Sequence, residues 1–110
     1  VNQPSLGSLG VDVTTHSSGV TVAVSGDMDL STSPVLLERL AAVALGEVGG
    51  ELTIDLANVP FCDSAGITAL IGLRQRCEQS GWLLRVANPQ PAVRRMLVDF
   101  TGLGDYLNVV

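Results

Sequence analysis

Apolar and polar residues alternate through two short runs, VDVTTH from Val11 and VTVAVS from Val20, on either side of Ser17-Ser18-Gly19. A period of two, β-branched enrichment and a turn-forming centre predict a β-hairpin over Val11 to Ser25. Acidic and hydroxyl residues then thicken from Asp27 to Ser33, and the spacing changes to that of a helix over Pro34 to Leu45. Ser33 is placed as its N-cap and Pro34 at N1, where a missing N–H costs nothing; Gly46 to Gly50 closes it. Leu52, Ile54 and Leu56 alternate with Thr53 and Asp55, which predicts a strand with Asp55 facing away from the core. After the loop Asn58-Val59-Pro60, Asp63 stands as N-cap of a helix from about Ser64 to Ser80. Ile67, Leu70, Ile71 and Cys77 share one face of it, and Gly81 ends it. Trp82 to Val86 predicts a further strand, Asn88-Pro89 a turn, and Pro91 the start of a third helix with Val93, Met96, Leu97 and Phe100 on one stripe. Tyr106 to Val110 is expected to add a last short strand. Val1 to Gly10 carries only isolated apolar residues among Pro, Gly, Ser and Asn, the composition of a flexible lead-in.

A hairpin followed by alternating helix and strand predicts an α/β fold, a small mixed β-sheet of four to five strands packed with about three helices. One domain over residues 11–110 is expected. Crossovers between parallel strands put ligand-facing loops at the strands' carboxyl ends, and Ala57 to Asp63 is such a loop.

Composition narrows the function. A chain of 110 residues can bury one core but is short for an enzyme that must also build a cleft. With 46% apolar and 15% charged residues it lies outside the disordered class. The net charge is -5, and the only cations are Arg39, Arg74, Arg76, Arg85, Arg94 and Arg95. Scattered arginines on an acidic chain argue against nucleic acid and anionic membranes and for a protein partner. Cys62 and Cys77 match no zinc spacing or disulfide framework, so no metal or cofactor is expected, and a reducing cytoplasm is the default compartment. Most of a helix separates the two thiols, which excludes a bond between them and leaves them as buried, inert groups. His16, the only histidine, is expected to be solvated near the hairpin turn. No apolar run approaches the roughly 18 residues of a spanning helix. The chain opens at Val1 and not at methionine, so preceding residues are expected to have been processed or left out.

The candidate chemistry lies in LTIDLANVPFCDSAGITAL, Leu52 to Leu70, where a strand ends, a loop turns and Asp63-Ser64 opens a helix. Ala65 and Gly66 leave the Ser64 hydroxyl uncrowded. A helix N-terminus carries unpaired N–H groups and about half a positive charge, so a phosphate on Ser64 would be tolerated there.

Asp63-Ser64-Ala65-Gly66 resembles the Asp-Ser-Ser/Ala-Gly phosphoacceptor signature of the STAS family, named for sulfate transporters and anti-sigma-factor antagonists. Gly26-Asp27-Met28-Asp29 is similar to that family's Gly-Glu-Leu-Asp segment, whose acidic residues lie near the phosphoacceptor. The resemblance spans about Val11 to Val109 and is to the stand-alone antagonist branch. It implies a non-enzymatic anti-sigma factor antagonist that binds an anti-sigma factor of the serine-kinase type and so frees a sigma factor. Phosphorylation of Ser64 would end that binding and a PP2C-type phosphatase would restore it. Asp27, Asp29, Asp63, Ser64, Ala65 and Gly66 are then the expected partner-binding residues, on a domain that is monomeric when free. The family's usual further C-terminal helix has no counterpart before Val110. The alternative use of the same fold is an accessory or scaffold subunit of a transporter or stress-signalling complex. Cys62 to Gly66 differs from a Gly-x-Ser-x-Gly nucleophile elbow at its first position, but a hydrolase triad needs a histidine after the serine, and His16 precedes it.

Overall fold

The computed structural model describes residues 9–41 and 50–110. Strands β1 (Gly10–His16), β2 (Gly19–Ser25), β3 (Glu51–Asn58) and β4 (Leu83–Ala87) form one sheet in the order β1-β2-β3-β4. β1 and β2 are the antiparallel hairpin, and β2, β3 and β4 run parallel, joined by crossovers. The register stacks Val20, Leu52 and Leu84 in one row and Val22, Ile54 and Val86 in the next, all buried. The alternate positions Thr21, Thr53 and Arg85 make a polar row on the opposite face. Period-two patterning thus decides which face takes the helices.

Helix α1 (Ser33–Ala41) buries Leu36 and Leu40, and α2 (Ser64–Ser80) buries Gly66, Ile67, Ala69, Leu70, Leu73 and Cys77 against the sheet and α1. The rest of the expected first helix, and the closing stretch apart from Gly50, lie outside the described residues, as does the lead-in over residues 1–8. Gly10 belongs to β1, and Leu9 already packs on the core. The α2 C-terminus is a Schellman turn: Gly81 takes φ 75°, its N–H donates to Glu78, and Trp82 N–H donates to the Cys77 carbonyl at 2.8 Å. Ser33 does not act as the expected cap, since its hydroxyl has no partner among the described residues.

Two expectations fail after β4. The third helix is regular only over α3 (Pro91–Arg94) and continues as a π-helix over Arg95–Phe100. Bonds from i to i+5 advance each residue less around the axis. Val93 and Leu97 keep the buried stripe while Phe100 swings out to 77% exposure. Tyr106 to Val110 forms turns and a single parallel bridge between Val86 and Val109. Asn108 adopts φ 51°, which breaks an extended path, and its side chain donates to the Leu84 carbonyl at 2.8 Å. Among the described residues no helix is long and apolar enough to cross a membrane.

Candidate functional site

β3 ends at Asn58, the chain turns through Val59 to Cys62, and α2 begins at Ser64. Asp63 has extended dihedrals and caps the helix: its Oδ1 accepts from Ala65 N–H at 2.8 Å and Gly66 N–H at 3.1 Å. Ser64 therefore sits at N1, exposed, with its carbonyl accepting from the Thr68 hydroxyl at 2.9 Å. Its place in the fold is set by backbone geometry and not by contacts of its own side chain.

The segment after β2 is tied to this loop along its length. Gly26 N–H donates to Asn58 O at 3.1 Å, Met28 N–H to Phe61 O at 2.9 Å, and Asp63 N–H to Met28 O at 3.0 Å. Met28 is bridged to Cys62 in parallel fashion and fully buried. The two sequence motifs are thus neighbours in space, with Asp27 and Asp29 flanking buried Met28 on the strap that runs beside Ser64's loop. Gly66 makes this approach possible. A Cβ there would stand 2.7 Å from the Met28 carbonyl oxygen and 2.7 Å from Cys62 Sγ, so the glycine serves packing of α2 on the strap.

The two acidic residues differ in role. Asp27 is exposed, and its carbonyl accepts from the Thr32 hydroxyl at 2.7 Å. Asp29 Oδ1 accepts from Ser31 N–H at 3.0 Å, the Ser31 hydroxyl at 2.8 Å and Thr32 N–H at 3.1 Å. The Ser31 hydroxyl bond, with the amide bonds of Thr32 and Ser31 behind it, holds this carboxyl below its usual pKa against the raising effect of partial burial. Asp29 therefore caps the turn that leads into α1. Neither carboxylate is hydrogen-bonded to Ser64.

Sequence reasoning missed the apolar side of this surface. Leu30 is 78% exposed and Phe61 49% exposed, on the strap and on the loop respectively. Cys62 is buried, and desolvation, reinforced by the charge of Asp63, pushes its thiol up to about 12. Desolvation also raises Cys77, with Arg74 opposing. Both are free buried thiols. His16 bonds Thr21 Oγ1 at 2.8 Å and Ser18 Oγ at 3.3 Å near the start of β2, at the end of the parallel strands opposite the loop that carries Ser64. No hydrogen bond among the described residues joins Ser64 or a cysteine to a histidine or carboxylate. Among the described residues no group of three His, Cys, Asp or Glu side chains could hold a metal ion.

Comparison with known proteins agrees with this geometry. A relative from Bacillus subtilis named anti-sigma-B factor antagonist is 33% identical over 101 residues, covering 92% of this chain and 90% of its own. The crystal structure of an anti-sigma factor antagonist from Mycobacterium paratuberculosis superposes with a TM-score of 0.78 at 28% identity, covering 97% of this chain and 89% of that one. The anti-sigma factor antagonist SpoIIAA in its unphosphorylated form shares the fold, with a TM-score of 0.71 at 21% identity over 92% of this chain and 88% of that one. The family model described as Mlab, STAS domain, matches residues 11–107; the chain belongs to the STAS domain family.

Proposed function

We propose that this chain is an anti-sigma factor antagonist that works in the cytoplasm and is monomeric when free. Unphosphorylated, it binds an anti-sigma factor of the serine-kinase type and frees a sigma factor; phosphorylation of Ser64 ends the binding, and a PP2C-type phosphatase restores it. The names borne by the Bacillus subtilis and Mycobacterium paratuberculosis relatives support the antagonist reading. The observation that carries the switch is the presentation of Ser64: an exposed hydroxyl at N1 of α2, beside small Ala65 and Gly66, on a loop fixed by the Asp63 cap and by the strap through Met28. Asp27, Asp63 and the edge of α2 supply the surrounding contact surface, and Asp29 shapes it.

The test is incubation of the purified chain with the anti-sigma factor of its own organism, with and without ATP. One phosphate should appear, map to Ser64, and dissolve the complex. Phosphate mapped elsewhere, or a complex that survives modification of Ser64, would refute the switch. Steady co-purification with a transporter ATPase in place of an anti-sigma factor would establish the accessory-subunit role instead.

A further inference from the structure

Beside Ser64 lies a groove of about 360 Å³ between α1 and α2, walled by Leu30, Pro34 and Leu37 on one side and Ala65, Thr68 and Ala69 on the other. Its lining is almost entirely carbon, with one exception. Ser33 also lines the groove, is only 5% exposed, and carries a hydroxyl with no hydrogen-bond partner among the described residues. Buried hydroxyls are nearly always paired, because leaving one unpaired costs free energy, so this one is available to a group that enters the groove. The rim is acidic. The stretches 26–38 and 59–73 carry Asp27, Asp29, Glu38 and Asp63 and no lysine or arginine.

We propose that this groove receives one aromatic side chain with a polar tip, a tyrosine or tryptophan, presented by the anti-sigma factor next to a basic residue; the inference rests on the antagonist function proposed above. The carbon walls match the ring, Ser33 matches its O–H or N–H, and the acidic rim matches the adjoining cation. A volume near the lower end of small-ligand pockets admits a single large side chain and not a helix. Tyr and Trp are also the residues that carry most binding energy when they fill a pocket at the centre of an interface. Exposed Leu30 forms the lip and is covered when the ring enters.

Small probes separate the parts of this claim. Tyramine has the ring, the hydroxyl and the cation; phenethylamine lacks the hydroxyl and p-cresol lacks the cation. In an amide NMR titration of the free chain, tyramine should shift Ser33, Leu37, Ala65 and Thr68 saturably and bind roughly three- to tenfold tighter than phenethylamine. Ser33→Ala should erase that difference, and added salt should weaken tyramine but not p-cresol. Thr68→Trp, at an exposed position, should block the groove and weaken the anti-sigma factor at least tenfold while the chain remains folded by circular dichroism. Ser33→Ala, which removes one oxygen, serves as the second variant and should weaken the anti-sigma factor too. Equal affinity for tyramine and phenethylamine would overturn the proposal, as would anti-sigma binding unchanged in both variants. A wild-type chain that takes tyramine in the groove but binds no anti-sigma factor would overturn the antagonist function itself.

Discussion

A phosphate on Ser64 should abolish partner binding while barely changing the stability of the domain, and the hydrogen bonds around α2 say why. A helix N-terminus can offset a dianion through its free N–H groups. Here most of them are committed: Asp63 N–H to the Met28 carbonyl, and Ala65 and Gly66 N–H to Asp63 Oδ1. Only the Ser64 amide is left for the phosphate. The intramolecular offset therefore sits at the low end of about 0.3–1 kcal/mol, opposed by the charge of Asp63. Either sign of the remainder moves the melting temperature by less than about 8 °C.

At the interface the balance is different. A surface matched to a hydroxyl must desolvate a group of about -1.5 to -2 charge with three strong acceptors. Attraction to a basic partner side chain on the exposed rim returns only about 0–1 kcal/mol. A net loss of ~3 kcal/mol weakens binding more than a hundredfold. Isothermal titration of wild type, Ser64→Ala and Ser64→Glu against the anti-sigma factor, beside calorimetric melting of each, checks both halves. Ser64→Ala should bind and ignore ATP; Ser64→Glu should bind poorly and melt near wild type. Equal release by ATP from wild type and Ser64→Ala would refute the reasoning, and so would a Ser64→Glu chain that loses binding only because it unfolds.

Gly66→Ala should destabilise the domain by about 1–3 kcal/mol, read by urea denaturation, because the added methyl meets the Met28 carbonyl and Cys62 Sγ, both 2.7 Å away. Asp63→Ala should cost ~1 kcal/mol through loss of the α2 cap, with Asp63→Ser recovering most of it in the same assay. Cys62, with its thiol pushed up to about 12, should resist alkylation at pH 8 in the folded chain and react at once in denaturant. Rapid labelling of the native protein would show that this part of the loop opens.

The interior of the sheet was legible because β2, β3 and β4 bury one face and expose the other, so Val22, Ile54 and Val86 mark the core in the sequence itself. Helix α2 was legible because both ends are spelled out, Asp63 at the start and Gly81 at the stop. What escaped depends on contacts far apart in the chain or on small changes in backbone twist. Nothing in the residues 91–100 distinguishes a helix that widens to π from one that does not, so Phe100 was expected inside and stands in solvent. That the segment Gly26 to Asp29 lies near Ser64 came from the family resemblance and not from any pattern in either segment, and the pairing of Met28 with Cys62 that ties them together was not foreseen. Leu30 and Phe61 look like ordinary core residues until the fold leaves them outside, and Ser33 looks like a cap until its hydroxyl is found unpaired.

The part played by Asp29 can be separated into charge and shape, because asparagine keeps the acceptor oxygen while removing the charge. Three of its bonds reach the Ser31 amide, the Ser31 hydroxyl and the Thr32 amide through Oδ1 alone. Asp29→Asn can retain all three, whereas Asp29→Ala retains none. If capping is its role, Asp29→Ala should lower the melting temperature and disorder the turn that positions Leu30, while Asp29→Asn melts near wild type. The sign of the pH effect follows from the same bonds. The folded carboxyl titrates below its ordinary value of 3.8, so its contribution is complete above that value and is lost as pH falls through the lower, folded one. Asp29→Asn should lose this share at every pH, so its stability curve no longer falls through the acid range and its neutral plateau lies slightly below that of wild type. For the partner, Asp29→Asn should weaken anti-sigma binding slightly, as one rim charge is lost, and Asp29→Ala far more, because the turn itself moves. Equal loss of binding in both variants, with both fully folded at pH 7, would mean that the charge of Asp29 meets the partner directly and that the cap is incidental.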